Sequence, residues 1–254
     1  MTFEGGMAAM IGGAGGNPPT LTTRLKGSKG RVDIDFMGNK ITTITDIEKK
    51  QVILLNEADK TAIVHDTTTA AVPAAVDPAM PVPKIDTTVK ATGKSQTIDG
   101  VPCDEHVFTI TIGMGELTGG GQTKPEPGSP AEMMKDVKLV MNGSSWVAKG
   151  GPGAEEVMAF QKTATAQGLD WVLRGGLPGQ QVQGMDKLLA AFSATPGVAY
   201  LTEINMTFEG TGPMVDMMKQ MGAMKLTQKV TSIKTDTIAD DVFIVPADYK
   251  VEKK

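Results

Sequence analysis

The sequence predicts a mainly β protein: a mostly antiparallel sheet, with a few short helices gathered in the C-terminal half and covering one face of it. Three observations carry that expectation. From Thr20 to His65 short Thr-, Val- and Ile-rich runs alternate with turn residues. Within them Arg31-Val32-Asp33-Ile34-Asp35-Phe36 alternates strictly between polar and apolar, as a sheet with one wet face requires. After Gly153 the apolar spacing changes from two to that of a helix.

The first five strands are expected at Thr20–Lys26, Arg31–Phe36, Lys40–Asp46, Gln51–Leu55 and Thr61–His65. Gly27-Ser28-Lys29-Gly30, Gly38-Asn39, Glu48-Lys49-Lys50 and Asn56 to Lys60 separate them, and connections this short favour a meander. Asp66 to Pro83, with Thr, Ala and four prolines, reads as an irregular crossing segment. Strands resume at Thr87–Thr92 and Glu105–Ile112. Gly113 to Pro130, with three consecutive glycines and three prolines, is a second irregular segment. Val137–Met141 and Ser145–Ala148 read as a hairpin turned by Asn142-Gly143.

Ala154 to Gln167 carries Val157, Met158, Phe160 and Ala164 at helical spacing, with Glu155 and Glu156 in the first turn, where the helix dipole favours acids. A second helix is expected at Met185–Phe192 and a third at Pro213–Met221, with proline at its start. Tyr200–Phe208 and Leu226–Lys234 are the remaining strands. The chain closes through Val242 to Pro246, with Lys253 and Lys254 as a solvated tail. The whole, residues 1–254, is expected to form a single domain.

An internal repeat crosses this plan. Met1-Thr2-Phe3-Glu4-Gly5 returns unchanged at Met206 to Gly210, and Leu21-Thr22 then falls opposite Leu226-Thr227 and Lys29 opposite Lys234 without a gap. Both copies place a Met- and Gly-containing excursion between strand-like pieces. The second copy is preceded by the strand-like Ala199 to Asn205 and the first is not, so a natural start is expected upstream of Met1.

Composition excludes several classes. The net charge of −4 leaves no basic footprint for nucleic acid. No apolar run approaches the roughly eighteen residues of a membrane span. One cysteine, Cys103, rules out an intramolecular disulfide framework. As given, the N-terminus carries no basic region followed by an apolar one, so no signal peptide is visible.

Catalytic material is sparse, and a non-enzyme is expected. There are two histidines, His65 and His106, and neither Ser144 nor Ser145 sits in a Gly-x-Ser-x-Gly elbow. Gly12 to Gly16 is glycine-rich but lacks the Lys-Ser/Thr of a phosphate-binding loop. Cys103 and His106, three apart on a strand, point to opposite faces and cannot share one metal ion, so Cys103 reads as a buried thiol. Neither a metal site nor a cofactor is assigned. Asn142-Gly143-Ser144 and Asn205-Met206-Thr207 match glycosylation sequons, a pattern that recurs by chance.

The methionines are the distinctive feature: seventeen in a chain with only 4% aromatics, so the core is aliphatic and Met-built. Met214, Met217, Met218 and Met221 fall on one stripe of a short helix. Such a stripe can pack on the sheet, accommodate variable apolar ligands, or present soft sulfur to Cu(I).

Several segments, in order, resemble the bacterial DUF4412 proteins. They are Gly30 to Asp33, Thr43 to Asp46 with Lys49-Lys50, Asn56 to Thr61, the turn Thr97 to Cys103, Ser145-Trp146-Val147-Ala148, and the ending Val230 to Lys234 with Asp241 to Lys250. Val101-Pro102 departs from the more usual aromatic neighbourhood of that family's cysteine. The resemblance implies a fold similar to the lipoprotein carriers LolA and LolB, a curved antiparallel sheet or unclosed barrel with helices on its concave face. It also implies a periplasmic or outer-membrane-associated setting. It carries no functional residues. The resulting expectation is a non-enzymatic envelope protein binding a lipid, a lipoprotein acyl chain or a hydrophobic peptide between sheet and helical plug, near Met214, Met217, Met218, Met221, Trp146 and Trp171. An interaction module with a filled core is the alternative, and Cu(I) binding by the Met helix a minor one.

Overall fold

The computed structural model describes residues 2–4, 19–36, 39–67, 85–114, 130–134, 136–167, 195, 197–220 and 222–253. Met221, Trp171, the expected helix Met185–Phe192, and residues 68–83 and 115–129 of the two irregular segments lie outside them. Among the described residues, strands dominate and divide into two six-stranded sheets.

Sheet II is the expected meander: β2 (Thr20–Lys26), β3 (Lys29–Phe36), β4 (Asn39–Asp46), β5 (Gln51–Asn56) and β6 (Thr61–Asp66), each antiparallel to the next. Its sixth strand, β12 (Lys250–Lys253), is parallel to β6, with Lys250 opposite Thr61 and Lys253 opposite Val64. Lys253 is therefore a strand residue, its side chain exposed as a solvated tail implies. Four polar-biased residues give no strand signal; the long-range ladder to β6 supplies it.

Sheet I runs in the order β1 (Thr2–Glu4), β11 (Met224–Lys229), β10 (Val198–Glu209), β9 (Lys138–Ala148), β8 (Val101–Gly113), β7 (Ile85–Ile98), antiparallel throughout. β7 and β8 form a ribbon longer than its sequence pattern suggests, turned at Asp99-Gly100 with φ of 49° and 82°. Two successive positive φ angles match the right-handed twist of the flanking strands.

The hairpin expected at Asn142-Gly143 does not exist; β9 passes straight through it. Gly143 is required by close approach instead. A Cβ there would lie 2.4 Å from both the Phe108 ring and the Glu203 carbonyl oxygen. The glycine makes room for an aromatic ring on one neighbouring strand and for the backbone of the other.

The internal repeat is one of sequence and not of topology. β10 and β11, which flank the excursion of the second copy, pair with each other. Their counterparts separate: β1 pairs with the far edge of β11, and β2 opens sheet II.

Three α-helices are described, α1 (Pro130–Met134), α2 (Ala154–Ala166) and α3 (Pro213–Gln220), with a 3-10 turn at Asp240–Phe243. α2 buries Ala154, Phe160 and Ala164, near the expected stripe, and packs Phe160 and Ala164 on Ile47, Val52 and Leu25 of sheet II. Gly30 lies directly beneath, where a Cβ would meet the Phe160 ring at 2.7 Å. The C-terminal segment forms a strap. Val230 and Ile233 pack on sheet I, with Ile98, Val101, Cys103, Ala148 and Tyr200. Ile238, Val242, Phe243, Val245 and Tyr249 then pack on Ile44, Leu55 and Ala62 of sheet II.

Candidate functional site

Directly opposed residues of an antiparallel pair share a face, so the registers of sheet I resolve one face into rows. Ile112, Leu139 and Phe208 form the first; Ile110, Met141, Met206 and Met224 the second; Phe108, Gly143, Ile204 and Leu226 the third. Ile85, Thr87 and Val89 of β7 extend these rows at the edge. Ile85, Phe108 and Ile110 are buried, and Val89, Ile112, Met141 and Ile204 pack on them; all come from strands. Met206, Phe208, Met224 and Leu226 are half-buried.

The fourth row is polar: His106, Ser145, Thr202 and Gln228. The Ser145 and Thr202 hydroxyls pair at 3.1 Å, while His106 Nδ1 and, further along the face, Thr87 Oγ1 are buried without a hydrogen-bond partner. This face is thus a broad apolar strip bounded at one end by polar side chains. Sequence reading dismisses Ser145 for want of an elbow motif, yet Ser145 and His106 face each other across two strands. Among the described residues nothing is hydrogen-bonded to His106 Nδ1 to orient it as a base. The Ser145 hydroxyl is engaged by Thr202, and the nearby Asp104 is exposed and accepts from Ser95 Oγ at 2.7 Å.

Of the six residues expected near a ligand, Met221 and Trp171 lie outside the described residues, and the other four are not brought together. Trp146, opposite Glu105 and Leu201, lies on the other face of sheet I, packed on the Ile98–Tyr200 cluster. The Met helix α3 stands at the far end of β10, separated from Leu201 by eight residues of strand, roughly 26 Å at ~3.3 Å each. Its buried anchor is Val215, which is fully inaccessible. At 100° per residue Met218 and Met214 both fall to one side of that centre, about 60° and about 100° from it, and Met217 points away, with 52% of its surface exposed. The methionine stripe therefore borders the buried face of the helix instead of forming it.

What sequence reading missed is the row Met141, Met206, Met224. Each sits on a different strand, and only the register aligns them. The available signal was alternation: Met141 with Leu139, and Met206 with Ile204 and Phe208, are two-residue repeats.

Cys103 behaves as its spacing from His106 implies. It lies on the opposite face, is 1% exposed, and its thiol donates to the Val101 carbonyl at 3.5 Å. Burial pushes the thiol pKa up, with Asp104 adding to the rise, and burial does the same to Tyr200; both stay protonated and inert. Among the described residues no group of three or more His, Cys, Asp or Glu side chains could hold a metal ion. Nor is any described helix long and apolar enough to cross a membrane. A shallow cleft of about 430 Å³ opens between the Gly100–Pro102 and Lys149–Pro152 turns. Val101, Pro102 and Pro152 line it together with Asp104, Lys149 and glycine backbone, and it is open to solvent.

The architecture defined this way is a mainly β protein of two open sheets with a few short helices. Residues 3–117 match the model of a family described as a domain of unknown function, DUF4412, which supports the resemblance carried by Gly30–Asp33, Thr43–Asp46, Asn56–Thr61 and Thr97–Cys103. The match takes in β2–β8 and stops before β9. No curated protein and no solved structure matches the chain.

Proposed function

We propose that this chain is a non-enzymatic bacterial envelope protein that holds an apolar ligand, a lipid, a lipoprotein acyl chain or a hydrophobic peptide, against the apolar face of sheet I. The observation that carries the reading is the continuity of that face across β7–β11, with Met141, Met206 and Met224 abreast at its middle. Unbranched thioether side chains re-pack around ligands of different shape, as a carrier with variable cargo needs. Burial on such a strip yields about 0.8 kcal/mol per CH₂, so a single acyl chain is held without polar anchors.

A LolA- or LolB-like fold is part of the proposal. Placed end to end, the two sheets give the order β2-β3-β4-β5-β6, then β7-β8-β9-β10-β11-β1, an almost unbroken meander opened where β12 caps β6. That order is what an unclosed barrel of one chain produces. In this reading the residues nearest the ligand are Met141, Met206 and Met224, with Met214 and Met218 of α3 at the β10 end. Trp146, on the other face, drops out.

Native mass spectrometry of the protein taken from a bacterial envelope without detergent tests this. A lipid-mass adduct that is lost on denaturation, and is absent from a Met141→Ser/Met206→Ser variant with unchanged circular dichroism, is the expected result. A clean apo mass points instead to an interaction module with a filled core.

A further inference from the structure

A second concentration of methionines lies outside the apolar face, where β9 begins and β10 ends. The short helices α1 and α3 pack against each other there, and both carry the same run of side-chain types: Glu132-Met133-Met134 and Asp216-Met217-Met218. Backbone contacts tie the segments into one locus. Val137 N–H donates to the Met134 carbonyl at 3.0 Å and Met114 N–H to the Val137 carbonyl at 2.8 Å. Gly210 abuts the same strand entry, since a Cβ there would lie 2.0 Å from the Asp136 carbonyl oxygen. Met114, Met133, Met134, Met214, Met217 and Met218 therefore belong to three chain segments that meet at one end of sheet I.

Packing alone does not account for them. The buried anchor of α3 is Val215, while Met133 and Met217 are 48% and 52% exposed, two of the six large apolar side chains left in solvent among the described residues. One exposed methionine stands on each of two touching helices, preceded in each by a carboxylate residue. Thioether sulfur is a soft ligand that selects monovalent soft cations over zinc, calcium or magnesium. Three rotatable bonds let side chains from both helices turn toward a common point.

We propose that the α1–α3 methionine cluster is a binding site for a soft monovalent cation of the Cu(I) class, held by thioethers with Met133 and Met217 as its outermost ligands. The cluster shares Met214 and Met218 with the apolar-ligand reading, but its outermost ligands, Met133 and Met217, take no part in that reading, so the variant that removes them tests the cation site alone.

Silver(I), a redox-inert probe of the same class, tests it. The wild-type protein is titrated with Ag(I) and followed by native mass spectrometry and by NMR of ¹³C-labelled methionine methyl groups. One bound Ag(I) per chain, with shifts at the Met133 and Met217 methyls, is expected. A Met133→Leu/Met217→Leu variant, which keeps the side chains' volume at exposed positions, should bind at least about tenfold more weakly with unchanged circular dichroism. Cys103→Ser, which removes the chain's one thiol, should bind as wild type does. The proposal is overturned by no stoichiometric binding to wild type, by equal affinity in the double leucine variant, or by loss of binding in Cys103→Ser.

Discussion

Asp33 is, with Asp46, one of two carboxylates that sheet II buries among the described residues, and it sits in a network of charged donors. Its side chain accepts from Arg31 Nε and Nη2 at 3.0 and 2.9 Å and from Thr42 Oγ1 at 2.6 Å, and it pairs with Arg24 across the β2–β3 ladder. Burial on its own would raise the Asp33 pKa. The hydrogen bonds from Arg31 and Thr42 and the charges of Arg31 and Arg24 outweigh it, and the net displacement is downward. A depressed folded-state pKa means stability that is complete above the unfolded value and is lost as pH falls through the folded one. Asp33→Asn should therefore cost on the order of 2–3 kcal/mol near neutral pH, less than a fully buried pair because Arg24 is partly solvated. In urea melts the gap between wild type and variant should close below about pH 4, where the unfolded carboxylate protonates. A gap that stays constant down to pH 2 would remove the ionised carboxylate from the explanation. The alternation that places Asp33 on one face is plain in Arg31 to Phe36. Its partners are not, because Arg24 and Thr42 reach it only through the register of three strands.

At the scale of elements, sequence reading succeeded where local chemistry decides and failed where a neighbour does. The β2–β6 meander follows its turn residues closely, and α2 follows its apolar spacing to within a residue. Asn142-Gly143 has the chemistry of a hairpin turn, yet the site is mid-strand because Phe108 and the Glu203 backbone occupy the space beside Gly143. The Met stripe of α3 had the right helix and the wrong rotation, since Val215 carries more of the burial than any methionine. Gly143→Ala should cost about 1–3 kcal/mol by overpacking. Part of that should persist in a Phe108→Leu background, because the clash with backbone oxygen remains. Gly150→Ala is the control: no atom lies within 4 Å of its Cβ position, and its effect should stay within about 0.5 kcal/mol. Equal destabilisation by the two substitutions would mean that β9 does not depend on close approach at Gly143.

For the whole molecule, the C-terminal strap links the sheets, and only its hydrophobic residues announce it in the sequence. It leaves β11 through a Val230 N–H to Tyr200 carbonyl bond of 2.8 Å and presses Val230 and Ile233 on sheet I. On sheet II it is held by Lys26 Nζ to the Ile238 carbonyl at 2.8 Å, by Arg31 Nη1 to the Val242 carbonyl at 2.9 Å, and by Lys26 to Asp240 at 3.0 Å. The Asp240 contact is exposed and screened by salt, so apolar burial of Phe243 against Ile44, Leu55 and Ala62 decides the attachment. Phe243→Ala should lower stability by about 3 kcal/mol, the lower end for an aromatic removed from a core. Hydrogen exchange locates the effect. Faster exchange is expected in β4–β6, in residues 238–249 and in β12, whose Lys250 N–H is bonded to the Lys60 carbonyl. β8–β10 should be unchanged, since Val230 and Ile233 keep their own cluster. A uniform rise across both sheets would show instead that they open as one cooperative unit, with the strap as the element on which both depend.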